Sequence, residues 1–247
     1  MDYKLMTLKQ NPSLTEKQWQ VTQQIWERFL LNSKVANNNW NKLEKYFPEY
    51  QMFLLDNDNE IIGFANTIPI RLDKKLSRLP QTGWDWLMQK GVGDHEKDLI
   101  PNYLGGLQIG ISKKYQNKGY STIIIKEVKK KFVENKLNGL IIPIRPTLKH
   151  LYPLISMKDY MYWKENDKIF DPWIRIHLNC GAKIIKICKK SMLYTATIRE
   201  WEEWTGLSFK TTGNYIIKGA LSKLFIDIRK NIGKYYDENI WVHYNTD

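Results

Sequence analysis

The stretch Gly105-Gly-Leu-Gln-Ile-Gly-Ile-Ser-Lys-Lys-Tyr-Gln116-Asn-Lys-Gly-Tyr-Ser121 decides how this chain is read. Its first half, from Leu104 to Ser112, is an apolar run interrupted by glycines and reads as a strand. Its second half, 113–120, is polar and basic and reads as a loop. From Ser121 to Glu134 the pattern changes period: Ile124, Ile125, Val128 and Phe132 fall on one face with lysines opposite, which predicts a helix. A helix N-terminus presents unpaired N–H groups and partial positive charge, which suit a pyrophosphate. Gly119 permits a positive φ and a close approach of backbone to ligand. Ser121 is small, and no acidic residue occurs from 112 to 121 to repel an anion.

Working outward, Thr15–Leu31 carries Trp19, Ile25, Phe29 and Leu30 at helical spacing, and a second helix is expected over Trp40–Phe47, ending at Pro48. Gln51–Leu55 and Glu60–Ile70 read as a hairpin joined by Asp-Asn-Asp-Asn. An irregular insertion from Arg71 to Pro101 holds a short amphipathic piece, Gly83–Gln89. Leu140–Ile144 is a buried strand closed by Pro146. Asp171 and Pro172 open a helix that runs to Cys180 and stops at Gly181. Strands follow at Lys183–Cys188 and Met192–Ile198, then a short helix at Arg199–Trp204 and β-like runs at Tyr215–Ile217, Leu224–Ile228 and Ile240–Tyr244. This order predicts an α+β fold. The expected organisation is a core over 1–198 with an insertion around 71–101, and a C-terminal extension over 199–247 packed on it.

Composition narrows the function classes. Hydrophobic residues at 43% of 247 are too many for a disordered chain. No run of eighteen apolar residues is present to span a membrane. The N-terminus carries no apolar signal core, so a cytoplasmic protein is expected. Cys180 and Cys188 form no disulfide framework or zinc motif, and His95, His150, His177 and His243 have no metal-ligand spacing; no metal is expected. The net charge of +12 attracts polyanions: coenzyme A phosphates, an acidic carrier protein, nucleic acid or a membrane surface. Equally, the excess can be solvating lysine. No RNP, helix-turn-helix or finger motif accompanies the charge, so nucleic acid ranks low as a partner. The ten tryptophans either fill a core or line a cleft.

The segment Gln116-Asn117-Lys118-Gly119-Tyr120-Ser121 resembles motif A of the GNAT superfamily of N-acetyltransferases, Gln/Arg-x-x-Gly-x-Gly/Ala between a strand and a helix. Ser121 replaces the usual Gly or Ala. The resemblance covers about residues 15–190. It implies a GNAT fold with a mixed, mostly antiparallel central sheet flanked by helices, to which the C-terminal β-rich extension is added. It also implies acetyl-CoA or another acyl-CoA as co-substrate, with residues 116–121 on the pyrophosphate and the strand backbone from Ile109 to Ile111 along the pantetheine. The implied activity is acyl transfer to a small-molecule or carrier-protein acceptor.

Within that family a Tyr normally stands four residues before the Gly of a closing Gly-Phe pair. Here the matching stretch, His177-Leu-Asn-Cys-Gly181-Ala182, places His177 there. A histidine is suited to acid, base or oxyanion-donor work, and equally to a satisfied structural role. Arg145-Pro-Thr-Leu-Lys-His-Leu-Tyr-Pro and Phe170-Asp-Pro-Trp-Ile-Arg-Ile-His177 also look like GNAT-like loading domains of polyketide synthases. That likeness implies catalytic roles for His177 and Thr147. They would hydrogen-bond a thioester oxygen during decarboxylation of a malonyl-type substrate or S-transfer to an acyl carrier protein. Thr147 has a second reading as a simple cap after Pro146. Arg145 can pair with a substrate carboxylate or be an ordinary strand-end arginine, and Trp84 and Trp86 can roof a cavity or fill the core.

Overall fold

The computed structural model describes residues 3–246. Strand β1 (Lys4–Thr7) leads into helix α1 (Leu14–Ile25), a 3-10 turn and helix α2 (Lys34–Tyr46). The hairpin follows as β2 (Gln51–Leu55) and β3 (Ile61–Ile70). Asp56 Oδ1 accepts the amides of Asp58 and Glu60, and Asn59 takes φ 59°, so the acid-amide joint supplies its own turn. Helix α3 (Gly83–His95) precedes β4 (Tyr103–Ile111), α4 (Tyr120–Glu134) and β5 (Leu140–Ile144). After a short α5 (Met157–Tyr160) and the small hairpin β6 (Lys164–Glu165) and β7 (Lys168–Ile169) comes α6 (Pro172–Asn179). The long strand β8 (Lys183–Ala196), α7 (Ile198–Thr205), β9 (Gly213–Tyr215), β10 (Leu224–Asp227) and β11 (Ile232–Tyr244) complete the chain.

Among the described residues the principal sheet has the order β1-β2-β3-β4-β5-β11-β10-β9, with β8 also paired to β11. Every pairing is antiparallel except β4 with β5. The architecture is the expected α+β, with a mixed, mostly antiparallel sheet and helices against it. Its main core gathers the inner faces of β2–β5, α3 and α4 with β11. A second core, built on Phe29, Tyr194, Trp201, Leu224 and Tyr235, lies under α7 and the C-terminal strands.

Local chemistry explains most boundaries. Asp171 accepts the Trp173 and Ile174 amides at the start of α6, with Pro172 at the first helical position. It also accepts the Leu148 amide and the Tyr160 hydroxyl, tying the preceding irregular segment to the helix. Thr197 and Glu200 form a capping box at α7, and Gly206 at φ 71° ends it.

The structure departs from the sequence expectations in several places: the helix expected over Thr15–Leu31 ends at Ile25, and the one expected from Trp40 begins at Lys34. The amphipathic piece at Gly83–Gln89 is the start of a thirteen-residue helix. A side chain at Gly91 would collide with Ile68, so Gly91 lets α3 lie directly on β3. The two strands expected at 183–188 and 192–198 are one strand, β8, whose register against β11 shifts twice. Strand β1 was not anticipated. Finally, β11 is thirteen residues long and is not peripheral. Ile240–Tyr244 pairs with β5 on one edge while the strand pairs with β8 on the other, so the chain from 199 onward both extends the core and completes its sheet.

Candidate active site

Strand β4 is paired with β3 along its whole length, but with β5 only at Leu104–Leu140 and Gly105–Ile141. From Gly106 to Ile111, about 20 Å of strand at the usual rise, its other edge has no partner strand. The polarity of that edge follows from the ladder. The Ser112 amide donates to the Ile62 carbonyl at 3.0 Å. Antiparallel pairs alternate, so Gly110 is the next residue bonded to β3, and the N–H and C=O of Ile109 and Ile111 turn to the open side. Ile111 gives its carbonyl to the Gln116 side chain at 3.1 Å, which ties the following loop back to the strand. A register shift opposite Asn66 and Thr67 leaves Leu107 as an extra residue in β4, at the mouth of the opening.

The loop ends at the N-terminus of α4. Gln116, Asn117, Lys118 and Gly119 are exposed, Tyr120 is buried and Ser121 half-buried. Gly119 has φ 81° and Asn117 φ 62°. A Cβ at Gly119 would meet nothing within 4 Å, so the glycine is required by its left-handed backbone and not by crowding. Behind the loop Tyr115 bonds to Asp56, with Lys114 and Lys118 near its ring. Charge, exposure and free space at the helix end all fit a phosphate-bearing ligand.

A cavity of about 510 Å³ fills the wedge between β4 and β5. Leu107, Gln108 and Ile109 form one wall, Ile142 to Arg145 the other, and residues of α1 and α2 cover the cavity. Of the buried residues of α1, Gln18 and Thr22 line this space, whereas Leu14 packs into the apolar cluster with Phe53 and Phe64. Gln18 and Asn66 exchange hydrogen bonds at 2.8 and 3.3 Å, and Asn66 also donates to Gln51. The Gln108 side-chain nitrogen is buried in the wall without a partner. Trp84 lines the cavity and donates to the Leu107 carbonyl at 2.6 Å, whereas Trp86 packs edge-on against Trp241.

Arg145 is not an exposed strand-end residue. Its Nε donates to Asp237 Oδ2 at 2.6 Å and an Nη to the Gly219 carbonyl. Asp237, fully buried, also accepts the Tyr235 hydroxyl. Nearby, burial lifts the Asp85 carboxyl to about 7, against the pull of the Leu193 amide and with the Asp237 charge adding to the rise.

His177 and Thr147 are not brought together on this wall. His177 is fully buried on α6, with Nδ1 2.7 Å from the Tyr244 hydroxyl and Nε2 without a partner. Trp173, a cavity-lining ring, stands edge-on to it at 4.3 Å. Burial drives the imidazole down to about 3, so it is neutral at physiological pH. Thr147 is exposed, and its carbonyl lies 2.9 Å from His150 Nδ1. Lys129, on the basic face of α4, donates to the Cys180 carbonyl at the end of α6. Gln18, Glu44, Asn66, Gln108 and Asp237 escape sequence reasoning. The clues were a glutamine inside an apolar strand and polar residues at i, i+4 on a helix face.

Two solved structures match the whole arrangement. The loading GNATL domain of CurA from Lyngbya majuscula superposes with TM-score 0.64 at 15% identity, covering 100% of this chain and 98% of that one. The chain has a GNAT fold. The GNAT-like decarboxylase GphF, solved with isobutyryl-CoA, matches with TM-score 0.64 at 12% identity over 99% and 100% of the two chains. In sequence, this GNAT-fold chain is similar to the arginine N-acetyltransferase avaD of Aspergillus versicolor. The two are 24% identical over 246 residues, spanning 88% of this chain and 84% of that protein. No family model matches the sequence. Among the described residues, no helix is long and apolar enough to cross a membrane, and no group of three or more His, Cys, Asp or Glu is placed to hold a metal.

Proposed function

We propose that the protein transfers an acyl group from acyl-CoA to an acceptor held in the wedge cavity. The observation that carries this reading is the continuity of three features: the anion-suited loop 116–121, the open edge of β4, and the cavity into which that edge leads. When bound, acyl-CoA supplies an acyl group activated by a thiol leaving group. Residues 116–121 hold the pyrophosphate with backbone amides and the α4 N-terminus. Ile109 and Ile111 offer main-chain groups to the amides of the pantetheine arm. The cavity beyond Leu107 takes the acceptor and excludes water from the reacting carbon.

The acceptor atom is assigned to nitrogen. The similarity to an arginine N-acetyltransferase supports it, as does the Glu44 carboxylate in the cavity lining. A second reading rests on the unpartnered His177 Nε2. With Nδ1 taken by the Tyr244 hydroxyl, Nε2 can carry the proton and serve as a neutral donor to a thioester oxygen if Trp173 turns aside. The resemblance to GNAT-like loading domains pairs this role with Thr147 and implies decarboxylase or S-acyltransferase chemistry with an acyl carrier protein as the partner, although Thr147 is exposed and stands apart from the cavity wall.

One assay separates the two. The protein is given acetyl-CoA with a panel of amines, and separately malonyl-CoA without acceptor. Acylated amine identifies the first; carbon dioxide and acetyl-CoA lost on His177→Ala or Thr147→Ala identify the second. Failure to bind CoA by calorimetry overturns both.

A further inference from the structure

The cavity differs in charge from the molecule that contains it. The chain carries a net +12, yet no lysine lines the cavity. Three of its lining residues are charged: Glu44, Arg145 and Asp237. Arg145 and Asp237 neutralise each other at 2.6 Å, and their remaining contacts go to Gly219 and Tyr235. The charge left over is the Glu44 carboxylate.

Glu44 sits on α2, one turn after Trp40, whose indole N–H donates to its Oε1 at 3.1 Å. Burial raises its carboxyl above the ordinary carboxylate range. Trp40 and the Thr15 hydroxyl are neutral partners that supply no counter-charge to the anion, whereas a cation would. The surroundings suit one. Trp19, Trp26 and Trp40 also line the cavity, and aromatic rings suit a positive charge or a flat apolar body. On the opposite wall the unpartnered Gln108 Nε2 is placed to donate to an oxygen of the same ligand.

We infer that the acceptor is an organic cation, an alkylammonium or a guanidinium, and that Glu44 selects it. The inference rests on reading the wedge as the acceptor site, but its test does not need turnover. Glu44 is a specificity-determining residue: it reads the acceptor's charge and is distinct from any group acting on the thioester.

The test uses quenching of intrinsic tryptophan fluorescence in the absence of CoA, because these three rings line the cavity. The probes are phenethylamine and agmatine as cations and 2-phenylethanol as the neutral counterpart. The expected result is that phenethylamine binds about tenfold or more tightly than 2-phenylethanol, a ratio corresponding to one unscreened charge contact. Glu44→Gln keeps an oxygen for Trp40 and should abolish that ratio by weakening the cations alone. Equal binding of amine and alcohol to the wild type, absence of binding by both cations, or an unchanged ratio in Glu44→Gln overturns the inference. CoA binding is measured in parallel by calorimetry. If CoA does not bind while the cation preference and its loss in Glu44→Gln persist, this inference stands and the acyl-transfer reading falls. If CoA binds and no cation preference exists, the inference falls alone.

Discussion

Replacing Gly119 by alanine separates what the loop does for the ligand from what it does for the fold. The residue has φ 81°, and a methyl group there meets no atom within 4 Å. The fold therefore bears only the backbone cost of a left-handed L-residue, about 1–2 kcal/mol. For a chain near 250 residues each kcal/mol lowers Tm by about 2–4 °C, so a fall of about 2–8 °C is expected. The ligand loses more selectively. Relaxing φ at 119 swings the amides of 119–121 away from the point they share at the head of α4. An anion at a well-formed helix N-terminus gains up to about 2 kcal/mol, so CoA affinity should drop by up to about thirtyfold. Calorimetric titration with CoA, and with pantetheine as the ligand lacking phosphates, measures both parts. Pantetheine binding should be unchanged. Equal losses for the two ligands, or wild-type CoA affinity alongside the expected Tm shift, would refute the assignment of the pyrophosphate to this loop.

Two further perturbations address the walls of the site. Asp237→Ala strands the Arg145 guanidinium in a buried setting and should cost about 3–5 kcal/mol in urea denaturation; a loss below 1 kcal/mol would mean that the pair is solvated. His177 has a folded pKa of about 3 against an ordinary 6.5, so between those values the unfolded chain binds the extra proton. Stability should then rise with pH across that window and fall on acidification by roughly 1.4 kcal/mol per pH unit from this group. His177→Leu should flatten the profile between pH 6.5 and 4, and an unaltered slope would place the imidazole in contact with solvent.

Much of the scaffold is legible in the residues themselves. The hairpin at 51–70, the Asp171-Pro172 start of α6 and the apolar face of α4 each rest on local chemistry, and local chemistry is visible in one dimension. The glycine-containing loop is legible for the same reason. The cavity is not, because its wall is assembled from partners far apart in sequence. Gln18 meets Asn66 across 48 positions and Arg145 meets Asp237 across 92. Helix α1 shows the limit well: periodicity directs attention to Trp19, yet the residues buried on it are Leu14, in the apolar cluster with Phe53 and Phe64, and Gln18 and Thr22, which line the cavity. Gly91 is a further case, since its missing side chain matters only once β3 lies beneath α3. His177 shows that a position matched by family resemblance fixes a place on a helix and leaves open the direction in which the side chain faces.

The two-residue junction between β4 and β5 also has a temporal side. Beyond Gly105 and Ile141 those strands have nothing to hold to each other, so β5 depends on β11 for its ladder, about a hundred residues downstream. Contacts of that separation close late and slowly. During synthesis or refolding, the part of the molecule from β1 to α4 can therefore be in place while β5 still presents a bare, apolar edge. The interval before β11 docks is when the chain is most open to mispairing. The opening proposed to admit a ligand in the finished protein is thus the same seam that leaves its precursor unprotected.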